Sequence, residues 1–240
     1  MVLNQVNEKE VLSARVVGCF LKQISKEYRY KFLRKIFRKS IIKPWGRYRE
    51  IDIIEEVLRS LRPKKCLEWG TGFSTLYFSK FLTEETKWVS IEHEKDWSSH
   101  IGRLNQNKNI EIHHVAPNRF PWTDPEKDGA YDDLKDYVEF PAALGKFDFI
   151  LVDGRARAHC LKKAEQLLEE NGVVILHDAN RRHYHAPFSL FKHQILLTDY
   201  RRSGGIWVGS KEADLGNLLD LNKHKMLFRI YNKYGKMLHV

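Results

Sequence analysis

From Ile51 onward the sequence alternates short apolar runs with stretches of helical periodicity, and this alternation limits the fold more than any other feature. The apolar runs are short and bounded by turn residues, which predicts strands. Predicted strands cover 66–69, 87–91, 110–115, 147–152 and 173–176, and predicted helices cover 51–61, 75–82, 94–104 and 156–170. Strands and helices that alternate in this way form a parallel sheet with helices on both faces.

The last part of the chain departs from this pattern. Apolar runs at 195–200 and 206–208 are separated by a short loop with Gly204 and Gly205, which predicts a hairpin. We therefore predict a Rossmann-like, doubly wound α/β fold, with a mostly parallel seven-stranded sheet that ends in an antiparallel hairpin. This domain is expected to span 49–210, between a basic helical extension at 1–48 and a C-terminal tail at 211–240 that packs on it or extends it.

The net charge of +10 lies almost entirely in the N-terminal segment, because residues 1–50 hold 13 Lys or Arg and 4 Asp or Glu. Apolar residues at helical spacing from Val17 to Tyr28 predict a helix there. Two interpretations stay open: a helix packed on the domain with its basic face in water, or a surface for phosphates, anionic lipid or an acidic polymer. The apolar stretch at 11–21 is too short to span a bilayer and lacks the features of a signal peptide, so we expect a cytoplasmic protein with, at most, peripheral membrane contact.

Two further features narrow the class of protein. The three cysteines, Cys19, Cys66 and Cys160, are far apart and form no CxxC pair, which excludes a zinc ribbon and a disulfide framework. Residues 117–145 form a long insertion, rich in proline and aromatic residues, between the third and fourth predicted strands. It is expected to be either a lid over a ligand or a surface excursion with a small helix near 131–138.

A glycine-containing turn follows the first predicted strand and precedes a helix. Gly70 and Gly72 permit a tight turn and a close approach of a ligand to the backbone, and the helix N-terminus offers free N–H groups. Glu92 ends the second strand, where a carboxylate can accept hydrogen bonds from ribose hydroxyls. Asp153 and Asp178 follow later strands. Since the carboxyl ends of parallel strands meet at one edge of a sheet, we expect these groups to line one ligand site.

Taken together, these motifs resemble the ordered motifs of class I S-adenosylmethionine-dependent methyltransferases. The resemblance rests on LEWGTGFST at 67–75, SIE at 90–92 and FDFILVDG at 147–154, and it covers roughly 50–210. It implies an S-adenosyl-L-methionine cofactor. The residues that it implies for cofactor binding are Glu68, Gly70, Thr71, Gly72, Ser74, Thr75, Glu92 and Asp153. For the adenine ring, His93, Trp97 and the turn at 116–118 are candidates.

The same resemblance gives candidate groups for the reaction. Asp153, His177 and Asp178 are the expected catalytic residues, since a hydroxyl acceptor benefits from a general base. Arg155, Asn180, Arg181 and Tyr184 are expected to bind the acceptor, and the arginines favour a negatively charged or hydroxyl-rich molecule. Methyltransferases of the catechol type bind a divalent metal at two Asp and an Asn. Here Asp153, Asp178 and Asn180 correspond, but Ala179 separates the last two, so a divalent metal at these residues stays open as an alternative that is not favoured.

The function predicted from the sequence is therefore O-methylation of a small-molecule or glycan hydroxyl. The basic N-terminus keeps an RNA methyltransferase open as an alternative, although no base-handling motif follows the fourth strand. An inactive nucleotide-binding or scaffold protein of the same fold is the non-enzymatic alternative. A dinucleotide-dependent oxidoreductase is disfavoured by Thr75, which stands where the dinucleotide fingerprint has its third glycine.

Overall fold

The computed structural model describes residues 13–37 and 42–238. The strands are β1 (Lys65–Trp69), β2 (Lys87–Glu92), β3 (Ile110–His114), β4 (Phe147–Val152), β5 (Leu168–His177), β6 (His193–Leu197) and β7 (Ile206–Ser210). The helices are α1 (Ala14–Phe37), α2 (Tyr48–Leu61), α3 (Phe73–Phe78), α4 (Lys95–Leu104), α5 (Lys135–Glu139), α6 (Arg157–Leu167) and α7 (Leu221–Tyr234).

The strands form one sheet in the order β3-β2-β1-β4-β5-β7-β6. β1 to β5 pair in parallel, and β7 is antiparallel to both of its neighbours, β5 and β6. The strand order reverses between β1 and β4, and in sheets of this kind ligands bind beyond the strand ends at that reversal. The predicted Rossmann-like α/β fold with a terminal antiparallel hairpin is confirmed.

Both faces of the sheet are buried, as the continuous apolar runs of the central strands require. Along β4, Phe149 and Leu151 face a cluster that includes the apolar side of α2, whereas Ile150 and Val152 face a cluster that includes α6. The carboxyl ends of the strands are left as the edge where polar groups can gather.

The structure differs from the prediction at β5. The predicted helix at 156–170 ends at Leu167, and the strand begins at Leu168 rather than at Val173. Leu168 pairs with Phe147 across a register irregularity, so tertiary pairing extends the strand through a region whose local pattern also suits a helix. The predicted helix near 131–138 is divided into a 3₁₀ turn at Tyr131–Asp133 and the short α5.

The terminal helices pack together on one side of the molecule. α1 contacts α2 and α7, and α7 contacts α2. The inward side of α1 includes Gln23 and Glu27, which are buried, whereas Val17, Leu21 and Tyr28 are exposed. The apolar stripe predicted from the spacing therefore faces largely outward, because polar contacts to α2 fix the rotation of the helix. No helix in the described ranges is both long enough and apolar enough to cross a membrane.

A buried ion pair joins α2 to the loop after β6. The side chains of Arg49 and Asp199 are 1% and 0% exposed, and Arg49 Nε donates to Asp199 Oδ2 over 2.8 Å. Arg201 also donates from Nε to Asp199 Oδ1 over 2.9 Å. Because an unpaired charge in the interior is costly, the loss of one partner should be far more damaging than the loss of an exposed pair.

We expect Asp199→Asn to lower the free energy of unfolding by about 3–5 kcal/mol, since it leaves Arg49 buried without a counter-charge. The measurement is urea denaturation of the full chain. Glu212→Gln is the control, because it breaks an ion pair with Lys192 in which both side chains are more than half exposed; its denaturation midpoint should barely move. Equal effects of the two substitutions would contradict the structural role of Asp199.

Candidate active site

A cavity of about 470 Å³ opens at the carboxyl ends of the central strands. Its walls come from the turn after β1, the ends of β2, β4 and β5, the insertion at 117–145, and the segment before α2. Most of the predicted site residues line this cavity. They are Gly70, Thr71, Gly72, Ser74, Glu92, His93, Trp97, Asp153, Arg155, His177, Asp178 and Arg181. The topology thus brings together side chains that are far apart in the sequence.

The floor of the cavity is formed by two backbone turns in close contact. Gly70 has φ +99°, in the region that favours glycine, and a Cβ there would lie 2.6 Å from the Cα of Gly154. A Cβ on Gly154 would lie 2.9 Å from Gly70 N and closer still to the Tyr137 hydroxyl. Both glycines are therefore required by the approach of the β1 and β4 turns.

Gly72 is different, because its backbone is extended and the protein leaves room beside it. The nearest atom that a Cβ at Gly72 would meet is Ser74 Oγ, at an ordinary contact distance of 3.5 Å. Packing within the chain therefore does not explain the glycine. Its Cα lines the open cavity, where a side chain would occupy space that a ligand can use.

Glu68 lies beneath this turn and not in the cavity wall. Its carboxylate accepts hydrogen bonds from Thr75 Oγ1 (2.6 Å) and Trp88 Nε1 (3.0 Å), and also from Ser74 Oγ. Burial raises the pKa of Glu68 to about 7, although these hydrogen bonds act in the opposite direction. Glu68 and Thr75 therefore hold the start of α3 in place beneath the cavity.

Glu92 presents a carboxylate to the cavity. Its Oε1 accepts from the backbone N–H groups of His93 and Glu94, each over 2.9 Å. These bonds fix the side chain at the end of β2 and leave Oε2 for a ligand. The carboxylate is thus positioned by its own turn before any ligand binds.

Aromatic rings form two walls of the cavity. On one side Trp97 donates from Nε1 to the Thr71 carbonyl over 2.6 Å, and its ring lies 5.6 Å from that of Trp45. On the other side the insertion contributes Phe120 and Trp122, with ring centroids 5.1 Å apart. Trp45 and Phe120 are 77% and 72% exposed, so two large apolar side chains flank the mouth. The insertion therefore forms part of the cavity wall.

At the inner end, a buried guanidinium lies between two carboxylates. Arg157 is 3.3 Å from Asp153 Oδ1 and 3.4 Å from Asp178 Oδ2, and it donates to the His177 carbonyl over 2.7 Å. Asp178 and Ala156 both adopt left-handed backbone conformations, with φ of +59° and +49°. Non-glycine residues rarely adopt these conformations, and their presence on either side of Arg157 marks a locally constrained site.

His177 joins this group to α2. Its Nδ1 lies 2.9 Å from Asp153 Oδ1, and its Nε2 lies 3.5 Å from Glu50 Oε2. Burial alone would lower the pKa of His177, but the two carboxylates raise it well above its usual value. Burial alone would raise the pKa values of Asp153 and Glu50. The neighbouring cations outweigh this effect, so that both pKa values are lowered, that of Glu50 to about 2. His177 is therefore held as a cation.

Two residues predicted to bind the acceptor have structural contacts outside the cavity. Asn180 Nδ2 donates to the carbonyls of Asp199 and Arg201, and its Oδ1 accepts from Asp199 N. Tyr184 is buried, and its hydroxyl donates to Asp128 Oδ1 over 2.9 Å. Neither side chain lines this cavity, although Asn180 borders an adjoining depression that also contains Arg181.

The structure also brings in Glu50 and Asp128, which the sequence did not single out, and it buries Arg157, which the sequence had placed with Arg155 at the mouth. Glu50 is buried and contacts His177 in the cavity wall, and Arg157 lines the cavity itself. Asp128, from the insertion, accepts from the Arg157 backbone N–H over 3.0 Å and so fixes the start of α6. The position of Arg157 four residues after Asp153 was a usable signal, whereas nothing local marks Glu50.

The donor groups at the inner end do not fit a divalent metal. Arg157 already lies between Asp153 and Asp178, and the amide of Asn180 is bonded to the hairpin loop. Within 13–37 and 42–238, no group of three or more His, Cys, Asp or Glu side chains is arranged to hold a metal ion. A cation at this position would have to displace a buried guanidinium that the backbone holds in place.

Comparisons with known proteins found similarity to methyltransferases. Residues 67–179 match a family model described as a methyltransferase domain. An O-methyltransferase from Bacillus cereus, solved in complex with SAH, has 14% identity and a TM-score of 0.52, with 85% of this chain and 94% of that chain covered. A methyltransferase from Geobacter sulfurreducens has 15% identity and a TM-score of 0.49, with coverages of 82% and 90%. A search of curated proteins found no match.

The family match begins in β1 and ends just after β5, so it contains the glycine turn, Glu92 and the charged group around Asp153. The strand order supplies the fold that such a domain requires, and the Bacillus cereus structure shares it. The chain therefore has the Rossmann-like α/β fold of a methyltransferase, and residues 67–179, just under half of its length, match the methyltransferase-domain family.

Proposed function

We propose that the cavity binds S-adenosylmethionine and that the enzyme O-methylates a small molecule. The observation that carries this proposal is the meeting of the Gly70–Gly72 turn and Glu92 in one cavity with an aromatic wall. In the proposed pose the methionine portion lies on the turn, the ribose hydroxyls bind Glu92 Oε2, and the adenine ring lies near His93 and Trp97. Asp153 then lies near the methionine amine.

Arginines at the mouth favour an acceptor with a negative charge. Arg181 lines both the cavity and an adjoining depression of about 550 Å³, which also contains Arg182, Arg202 and His183 and a single acid, Glu126. Arg155 lines the cavity on the same side as Gly154. Guanidinium groups recognise carboxylates and phosphates through paired hydrogen bonds. The aromatic side chains Trp45 and Phe120 would cover an apolar part of the same molecule.

Bound S-adenosylmethionine would supply a methyl group on a sulfonium: the acceptor oxygen would bond to the methyl carbon in line as the C–S bond breaks, and the electron pair would leave with sulfur in S-adenosylhomocysteine. The protein then has to align the acceptor and remove its proton. His177 is a cation between Asp153 and Glu50 and has no lone pair to act as a base. We therefore assign it a positioning role and assign proton acceptance to the Asp178 carboxylate, which is partly exposed to the cavity.

We also propose that the enzyme works in the cytoplasm. All three cysteines are free, and Cys66 and Cys160 are buried. Burial raises the pKa of both buried thiols, so these side chains are unreactive core residues. A chain of this kind suits a reducing compartment.

The direct test of cofactor binding is calorimetry of the full chain with S-adenosylmethionine and S-adenosylhomocysteine. We expect Glu92→Gln to weaken binding of both ligands by roughly tenfold, since it removes the charge that strengthens the ribose hydrogen bonds. The amide oxygen can still accept from His93 and Glu94, so the fold should be kept. Glu111→Gln, at an exposed carboxylate on β3, is the matched control. Unchanged affinity in Glu92→Gln would contradict the ribose assignment.

A second substitution tests the glycine turn. Gly72→Val should abolish cofactor binding because its side chain would project into the cavity, while the extended backbone tolerates valine. The readouts are calorimetry for binding and circular dichroism for the fold. Gly102→Val is the control, since no atom lies within 4 Å of a Cβ at that exposed helix position. Normal binding by a folded Gly72→Val protein would show that the ligand lies elsewhere.

The protonation of His177 can be measured directly. We expect the imidazole resonances of His177 to remain those of the cation above pH 6.5, where an ordinary histidine has lost its proton, because Asp153 and Glu50 raise its pKa. A raised folded-state pKa stabilises the fold fully below about pH 6.5, the ordinary histidine value, and this stabilisation is lost as pH rises through the folded-state pKa. His177→Gln should remove this part of the pH dependence of unfolding. A His177 that titrates near pH 6.5 would restore it as a candidate base.

A further inference from the structure

The outward face of α1 carries five large apolar side chains, interrupted in the middle by Ser25. Val17, Leu21, Tyr28, Phe32 and Ile36 are between 40% and 61% exposed. Their spacing of four and seven residues puts them on one side of a helix of 24 residues, which is about 36 Å long. Monomeric proteins rarely leave this many large apolar side chains on one exposed face, so the stripe indicates an interaction surface.

The inward face explains why the stripe is exposed. Gln23 Nε2 donates to Asp52 Oδ2 over 2.8 Å, and Glu27 Oε1 accepts from the Tyr48 backbone N–H over 2.9 Å. Lys26 also pairs with Asp52, at 3.2 Å. These contacts to α2 are polar, and they fix the rotation of α1 about its axis. The helix thus contacts α2 through polar groups, while Phe20 packs on Tyr231 of α7, with ring centroids 4.9 Å apart.

The charge around the stripe is of one sign. α1 contains seven Lys or Arg and one acid, Glu27, and this acid is buried against α2. At 3.6 residues per turn, Lys22 and Arg29 lie along one border of the stripe, and Lys31 and Lys35 lie along the other. An apolar stripe bordered on both sides by cations matches a layer of anionic head groups above acyl chains.

The end of α7 extends this surface. The Tyr28 hydroxyl donates to the Leu238 carbonyl over 2.8 Å, which brings the residues after α7 beside the middle of α1. Met237 is 76% exposed there, and Lys233 and Lys236 are exposed as well. α7 has four Lys or Arg and no acid. The surface therefore continues with the same combination of apolar and basic groups.

We propose that α1 and the end of α7 bind the surface of an anionic phospholipid bilayer, with Leu21 and Phe32 inserted among the lipids and Lys22 and Arg29 at the phosphates. A second copy of the chain fits less well, since the borders of the stripe carry like charges that repel across an interface. A nucleic acid would use the cations and gain little from the aliphatic residues. This proposal does not depend on the proposed methyl acceptor.

The test is co-sedimentation of the full chain with vesicles of phosphatidylcholine alone or of phosphatidylcholine with phosphatidylglycerol. We expect binding to the anionic vesicles only, and weaker binding as salt is raised. Leu21→Ser combined with Phe32→Ser should reduce the affinity by about tenfold or more, since both apolar anchors are lost. Lys22→Glu combined with Arg29→Glu should do the same. Leu190→Ser is the matched control, as Leu190 is 47% exposed but lies outside α1 and α7.

Other occupants of the surface give different results. Equal binding of the wild type and the Leu21/Phe32 variant, or no binding to anionic vesicles at low salt, would overturn the proposal. Retention on single-stranded RNA that depends on Lys22 and Arg29 but not on Leu21 and Phe32 would assign the surface to nucleic acid instead. A dimer in sedimentation experiments that dissociates in the Leu21/Phe32 variant would assign it to a second copy. Circular dichroism and cofactor binding check that each variant is folded.

Discussion

The position of Arg157 between two carboxylates determines much of the geometry around the cavity. Asp153 follows β4 and Asp178 follows β5, and both carboxylates lie within 3.4 Å of the guanidinium. His177 lies between Asp153 and Glu50 of α2. The Glu50 carboxylate also accepts hydrogen bonds from Arg201 and from the Gly205 backbone N–H. This charged group therefore connects the ends of β4 and β5 with α6, α2 and the loop between β6 and β7. Because each charge is paired, the group can be buried, and its contribution is to fix geometry more than to add stability.

The sequence predicted the parts of the site that depend on local patterns. Gly70 is required by a turn between a strand and a helix, and Glu92 and Asp153 follow apolar runs directly, so their place at the carboxyl edge follows from the parallel topology alone. Glu68 belongs to the same motif, but its neighbours on β2 and α3 bury it, which a linear pattern does not reveal. The fold class was predictable for the same reason as the glycine turn, because both follow from the spacing of apolar residues and glycines over short stretches of the sequence.

Residues whose surroundings depend on tertiary contacts were harder to predict. Glu50 reaches His177 only because α2 packs across the end of β5, and no spacing in the sequence encodes that. Asn180 follows Asp178 closely, yet the left-handed backbone at Asp178 turns the chain so that Asn180 bonds to the loop between β6 and β7. The outward rotation of α1 was hidden as well, because helical periodicity gives a stripe without saying which side faces the protein.

The orientation of α1 relates the proposed membrane surface to the cavity. Gln23 contacts Asp52 and Glu27 contacts Tyr48, so α1 and α2 run antiparallel. α2 begins near His177, at the edge of the sheet where the cavity opens, and α1 therefore runs toward that same edge. Lys43 Nζ lies 4.9 Å from the centroid of the Tyr30 ring, so the segment just before Trp45 is in contact with α1. A bilayer bound along α1 would thus lie beside the mouth, and an acceptor with an anionic head and an apolar portion could reach the arginines and the exposed aromatic rings from that surface.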